Sequence, residues 1–544
     1  MRFIGVLGIL VLLGLAYLMS NNRRQIPLRV VIWGLLLQIL FAAIILGKTT
    51  ISYSALLLFL FLIILYIYRQ NLSQTTQLSK VVGLIILSCL VLMGLFWGLS
   101  YYLGRSIVGW LWLIILVIII LKAISRSARY QRELLASWLI LGFVWLIVNQ
   151  VTGQMLFQAL SHKVERFLGL AGLGAEFLFG NLALEKYFFT DGKTWPGFGY
   201  QFAFSVLPVI IFFASFMAIL YHLGVMQIII KAMARFMQWT MGTSGAETLS
   251  CTANIFVGQT EAPLLIRPFL NDLTLSELLT VMVGGFATIA GGVLAGYIRM
   301  GVSAGHLIAA SVMSAPAALV VGKIIFPERE TPKTAGAVEI PKDIVQSANL
   351  LDAAARGVTD GLKLAANVAA MLIAFIALIG LIDYLLSFGD RLIDGRWLQG
   401  AFVPYTNSTG FSPIKGEYSG IFPGSLKTLF GSLLRPLAWL MGVSWQYAGE
   451  VGNLLGIKLS LNEFVAYSSL AELIHQHAMD EKAIVIATYA LCGFANFASI
   501  GIQIGGIGAL APERRSDLSS VALKAMFGGA IASWITACIA GILL

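Results

Sequence analysis

Two short stretches place carboxylates, amides and hydroxyls together inside otherwise apolar sequence. One is Asn254-Ile255-Phe256-Val257-Gly258-Gln259-Thr260-Glu261-Ala262-Pro263; the other is Asn462-Glu463-Phe464-Val465-Ala466-Tyr467. A carboxylate at bilayer depth costs roughly 2.5–3.5 kcal/mol even on the lenient insertion scale, so each acid asks for a purpose. Gln259, Thr260 and Asn462 stand beside the acids, and Gly258 and Pro263 break the helix around them. These are the parts of a site for a polar solute. The structural alternative is a buried ion pair or a hairpin cap, and the recurrence of the pattern weighs against it. Cys89, Cys251, Cys492 and Cys538 stand singly with no metal-ligand spacing. His475 and His477, two apart, point to different faces of a helix, so neither they nor the other histidines form a catalytic set.

The elements that hold these stretches must be membrane helices. Of the 544 residues, 58% are hydrophobic and only 11% charged, against about 25% charged in soluble domains. The net charge of +10 sits in short loops between apolar runs, where it orients the chain rather than binding nucleic acid. Apolar runs near or above the ~20 residues needed to span hydrocarbon recur from end to end and predict an all-α polytopic fold. The first spans are 3–20, 29–47, 53–68, 80–102, 107–122 and 134–150. Phe3–Met19 is followed by Asn21-Asn22-Arg23-Arg24 instead of a cleavage site, so it reads as a retained span. Arg23, Arg24 and Arg29 fall in the first loop, Arg69 and Lys80 in the third, and Lys122, Arg126, Arg129 and Arg132 in the fifth. Odd loops are then cytoplasmic, and both the N-terminus and the C-terminus lie outside. Leu156–Gly172 and Ile228–Trp239 read as interfacial helices flanking a span at 198–222.

Residues 244–270 and 445–470 are too interrupted to cross as single helices, and they read as re-entrant hairpins. Each is followed by a related sequence, Gly285-Phe286-Ala287-Thr288 and Gly493-Phe494-Ala495-Asn496, and then by a full span at 304–325 or 520–543. Hairpin, broken helix and span at matching places are the pattern of an inverted-repeat secondary transporter, with its site where the repeats meet. The expected organisation is 1–48 N-terminal spans, 49–148 an inserted bundle and 149–243 an interfacial helix with a scaffold span. Residues 244–326 form repeat 1, 327–444 a cytoplasmic loop, a long span at 361–385 and an external loop at 389–423, and 445–544 repeat 2.

Val257-Gly258-Gln259-Thr260-Glu261-Ala262-Pro263-Leu264-Leu265-Ile266-Arg267-Pro268 resembles the first hairpin of the concentrative nucleoside transporters. Gly456-Ile457-Lys458 with Asn462-Glu463-Phe464-Val465-Ala466-Tyr467 resembles that family's second-hairpin signature. The similarity covers about 1–48 and 149–544; the segment 49–148 departs from it and adds an even number of spans. The resemblance implies a homotrimer in the cytoplasmic (inner) membrane that imports nucleosides on a sodium or proton gradient. It implies that Gln259 and Thr260 bond the nucleobase beside Glu261, that Val293 packs on the base, and that Glu463, Asn496 and Ser499 bind ribose hydroxyls with Phe494 lining the pocket. It implies a sodium site from the side chains of Asn254 and Thr288 with the backbone carbonyls of Val257 and Ile289. The residues agree on their own terms: a neutral solute rich in donors and acceptors calls for amides, hydroxyls and a carboxylate. Sodium coupling is the leading expectation and proton coupling the alternative; purine and pyrimidine preference both stay open. A membrane-embedded enzyme lacks a nucleophile–base set here, and acids in both halves suit occlusion better than a channel's continuous conduction.

Overall fold

A computed structural model describes residues 2–69, 83, 91–95, 97–98, 105–124, 131–187, 201–336, 347–405 and 413–544. The expected span 80–102 lies largely outside the described residues. The chain forms two compact units, residues 39–160 and residues 1–38 with 161–544. In the smaller unit the helices Thr49–Ile67, Arg105–Ile124 and Gln131–Val148 are predominantly apolar, the last opening with Gln131-Arg132-Glu133. Leu60, Ile64, Ile140 and Phe143 form its core.

The larger unit carries the site. Its centre is three helices, Leu275–Ala287, Ala304–Ile325 and Arg515–Leu543, which pack on one another. The apolar stretches within Leu275–Arg299, Ala304–Ile325 and Pro512–Leu543 are 83–89% buried, whereas those of Phe202–His222 and Leu350–Trp397 are 22% buried. The first group is therefore enclosed by protein, and the second forms an outer scaffold. Small residues permit the central packing, as expected where lipid supplies no hydrophobic drive between helices. A Cβ on Gly529 would sit 2.3 Å from Phe286 Cβ, and one on Gly322 2.7 Å from Thr280 Oγ1. The scaffold uses the same device, with Gly357 and Gly361, four residues apart, against the backbones of Ser215 and Ile211.

The sequence repeats appear as repeated order. Phe202–His222, the amphipathic Val225–Met241, a hairpin, a broken helix and Ala304–Ile325 make one series. Leu350–Asp390, the amphipathic Leu426–Leu440, a hairpin, a broken helix and Arg515–Leu543 make the other. The long span exceeds the expected 361–385: its 41 residues extend about 60 Å at 1.5 Å each, twice the hydrocarbon thickness of about 30 Å. Leu426–Leu440 falls in sequence where no helix was expected, because its polar face and Pro436 lower its hydropathy.

The described residues of 389–423 hold regular structure where the composition suggested a loop. A two-stranded antiparallel sheet pairs Phe402–Pro404 with Gly416–Tyr418. Asp390 accepts from the Tyr418 amide at 2.9 Å, Asp394 from Phe422 at 2.8 Å, and Asp383 from Leu426 at 2.8 Å. Carboxylates at the helix end thus hold the returning backbone, a pairing that no local periodicity reveals.

Candidate functional site

Each hairpin is built by a helix too short to cross. Trp445–Ser460 has 16 residues, or about 24 Å; Asn462 then caps Glu463–His475 by accepting from the Val465 amide at 2.9 Å. In the first hairpin Gly245–Ala253 is followed by a break and then by a 3₁₀ helix, Ala262–Asp272, where Pro263 and Pro268 withhold amide donors. The base of this hairpin is tied down by a buried ion cluster that sequence reasoning missed. Lys323 Nζ lies 2.8 Å from Glu247 Oε2 and 3.1 Å from Glu328 Oε2. Only the fold brings Glu247 to Lys323, whereas Glu328 lies five residues from Lys323.

Both broken helices part at their expected places. Leu275–Ala287 ends at Thr288 in extended backbone and resumes as Gly291–Arg299. Glu481–Leu491 resumes at Phe497–Leu510 behind Asn496, whose Oδ1 accepts from the Ser499 amide at 2.8 Å. Gly493 has φ +121°, and a Cβ there would lie 2.5 Å from the Phe286 carbonyl oxygen, so this corner requires glycine. Lys458, fully buried, donates to the carbonyls of Ala490 at 3.0 Å and Cys492 at 3.4 Å. It caps the carbonyls left free at the C-terminus of Glu481–Leu491.

The polar residues of the two repeats meet. Gln259 Nε2 donates to Ser499 Oγ at 3.2 Å, joining the first hairpin to the second repeat. Thr260 packs where Gly506 leaves room, since a Cβ there would lie 2.5 Å from its methyl. Glu463, 5% exposed, accepts from Asn496 Nδ2 at 3.1 Å and from the Tyr297 hydroxyl at 3.1 Å. Tyr297 belongs to the first repeat's broken helix, stacks on Tyr467 at 4.2 Å, and was not foreseen. Gln503 is a second residue missed: fully buried, it donates to Gln259 Oε1 at 3.0 Å. Its signal was its place one turn after Ser499. Val293 is buried and Phe494 half-buried.

Glu261 occupies a different setting from Glu463. Its Oε2 accepts from the Gly258 amide at 3.0 Å, and the side chain is exposed to a cavity of about 370 Å³ shared with Phe213, Tyr221, Val257 and Asp360. That volume falls in the 300–1,000 Å³ range of small-molecule pockets. The expected ion ligands lie at the two breaks. Asn254 is 1% exposed, and neither its Oδ1 nor its Nδ2 has a hydrogen-bond partner. Thr288, 1% exposed, donates to the Gly284 carbonyl at 2.8 Å, leaving oxygen lone pairs free to face a cation. The breaks touch, because the Gly291 amide donates to the Phe256 carbonyl at 3.2 Å. Val257 and Ile289 supply carbonyls from non-helical backbone. A buried, unsatisfied amide at one break, with a hydroxyl and unwound carbonyls at the two breaks, is the donor set that suits a hard monovalent cation, which takes neutral oxygen ligands.

Residues 7–71, 203–304 and 306–541 match the family models described as the N-terminus of Na+ dependent nucleoside transporters, nucleoside recognition, and the C-terminus of Na+ dependent nucleoside transporters. The chain belongs to the concentrative nucleoside transporter family. The mouse sodium/nucleoside cotransporter 1 is 39% identical over 476 residues, 82% of this chain and 67% of that protein. Its human counterpart is 41% identical over 411 residues, 73% of this chain and 57% of that protein. CNTnw in an inward-facing substrate-bound state is 31% identical with a TM-score of 0.68, covering 100% of this chain and 98% of that one. A variant of CNTnw in an outward-facing state gives 0.69 at 31% identity, with coverage of 100% and 97%. The transporter fold expected from sequence, an inverted repeat with paired hairpins, is the fold found.

Proposed function

We propose that this transporter is a sodium-coupled symporter that imports nucleosides by alternating access. The observation that carries the reading is the contact of Gln259 with Ser499, which joins amides, hydroxyls and the Glu463 carboxylate across the repeat boundary. Gln259 and Thr260 bond the nucleobase with Glu261 beside them, and Val293 and Phe494 line the pocket. Glu463, Asn496 and Ser499 take the ribose hydroxyls. A carboxylate can accept from two neighbouring hydroxyls at once, and such charge-assisted bonds are the stronger kind. Sodium enters as co-substrate on Asn254, Thr288 and the carbonyls of Val257 and Ile289, and the unpartnered Asn254 amide supports this.

The chain is an integral membrane protein. Its placement in the inner membrane with both termini outside, as the loop charges suggest, and its assembly as a homotrimer are parts of the same proposal. Residues 1–48 and 149–243 then serve as scaffold, 244–326 and 445–544 as the moving repeats joined by 327–444, and 49–148 as an added bundle. Purified protein in proteoliposomes should accumulate radiolabelled uridine when an inward sodium gradient is imposed. Accumulation driven only by an inward proton gradient would assign proton coupling, and no response to any cation gradient would overturn coupled transport.

A further inference from the structure

The orientation of the Gln259 amide can be fixed from an atom that has no choice. Gln503 Nε2 lies 3.2 Å from the Met282 carbonyl oxygen, which can only accept. That contact makes this end of the Gln503 side chain the amino end. The same Nε2 lies 3.0 Å from Gln259, so the Gln259 atom facing it must be the carbonyl oxygen. The Gln259 amino group is thereby turned the other way, toward Ser499. One N–H serves Ser499 and one is left for a solute. The arrangement is built in: Gly285 lies where a Cβ would come within 2.7 Å of Gln503 Nε2 and 2.9 Å of Gln259 Cβ. Gln503 is fully buried and its own carbonyl oxygen has no partner. A buried orphan acceptor destabilises the fold, and an apolar residue at 503 would avoid it.

We propose that Gln503 is a specificity-determining positioning residue that locks Gln259 as a hydrogen-bond donor, so that the site favours nucleobases presenting a ring carbonyl over those presenting an exocyclic amine. This rests on the reading that Gln259 meets the base. An amine facing the locked amino group sets donor against donor, and site groups left unpaired discriminate strongly between close analogues. Uridine and cytidine, and inosine and adenosine, are matched pairs that exchange carbonyl for amine at one ring carbon.

The test is proteoliposome uptake of all four nucleosides, scored as the ratio of kcat/KM within each pair. The native protein should favour the carbonyl member by about tenfold, as one lost hydrogen bond of about 1.4 kcal/mol implies. Gln503→Leu and Gln503→Met free the Gln259 amide to rotate, and the ratios should fall toward one. Gln259→Glu, which presents acceptors only, should turn the preference toward the amine members; it decides the matter if the 503 variants yield no protein. A native ratio near one in both pairs, or ratios unchanged in the 503 variants, overturns the lock. Gln259→Ala separates the two readings. If it raises KM while the 503 variants leave the ratios alone, only the lock fails; if it leaves every KM unchanged, Gln259 does not meet the base and both fail.

Discussion

Replacing Glu463 by glutamine changes the charge of the proposed ribose ligand and almost nothing else. The native carboxylate accepts from Asn496 and Tyr297. Asn496 cannot turn over to compensate, because its Oδ1 holds the Ser499 amide at 2.8 Å. The new amide therefore sets its oxygen toward Asn496 and its amino group toward Tyr297, whose hydroxyl rotates to accept. Both contacts are kept, the Tyr297 hydroxyl hydrogen alone losing its acceptor, and the fold should survive. A ribose hydroxyl loses about 1 kcal/mol when its acceptor changes from charged to neutral. Two hydroxyls make about 2 kcal/mol, or roughly 30-fold in affinity. Initial-rate uptake at saturating sodium should show the KM for uridine rising by about that factor in Glu463→Gln. The KM for 2′,3′-dideoxyuridine, which lacks both hydroxyls, should stay near its native value. An equal rise for both solutes would refute the ribose assignment, as would an unchanged KM for uridine.

Thr288→Ala removes one oxygen from the proposed ion site and should raise the sodium concentration for half-maximal uptake by about tenfold, the equivalent of 1.4 kcal/mol. A shift of the pH optimum with unchanged sodium dependence would instead point to protons. Lys458→Met deletes two charge-assisted bonds to helix-end carbonyls, each worth about 1.5–3 kcal/mol, partly offset by the relief of a buried ammonium. The detergent-solubilised variant should unfold at a lower temperature while keeping the native KM for uridine; a raised KM with native stability would make Lys458 a solute ligand. Gly493→Ala should abolish the yield of folded protein, because φ is +121° and the methyl would meet the Phe286 carbonyl. Gly449→Ala, with no atom within 4 Å of the added Cβ, is its control, and equal yields of the two would contradict the account of the corner.

Much of the architecture could be read directly from the chain, since in a bilayer every backbone polar group must be satisfied nearby. That requirement makes apolar length report spans, and makes Gly258, Pro263 and the Asn462-Glu463 pair report hairpins. It also let the recurring Gly-Phe-Ala mark two broken helices. The amphipathic helix Leu426–Leu440 escaped because its polar face and Pro436 lower its hydropathy, and the clasped loop behind Asp383 because its order comes from a partner 43 positions along the chain. The site divides the same way. Glu463, Asn496, Ser499 and Gln259 announced themselves as polar residues in apolar surroundings. The roles of Tyr297, Gln503 and the Glu247–Lys323 pair were settled only by packing. Residue type and spacing act along one helix, whereas a hydrogen bond between residues 240 positions apart exists only once the repeats have closed on each other.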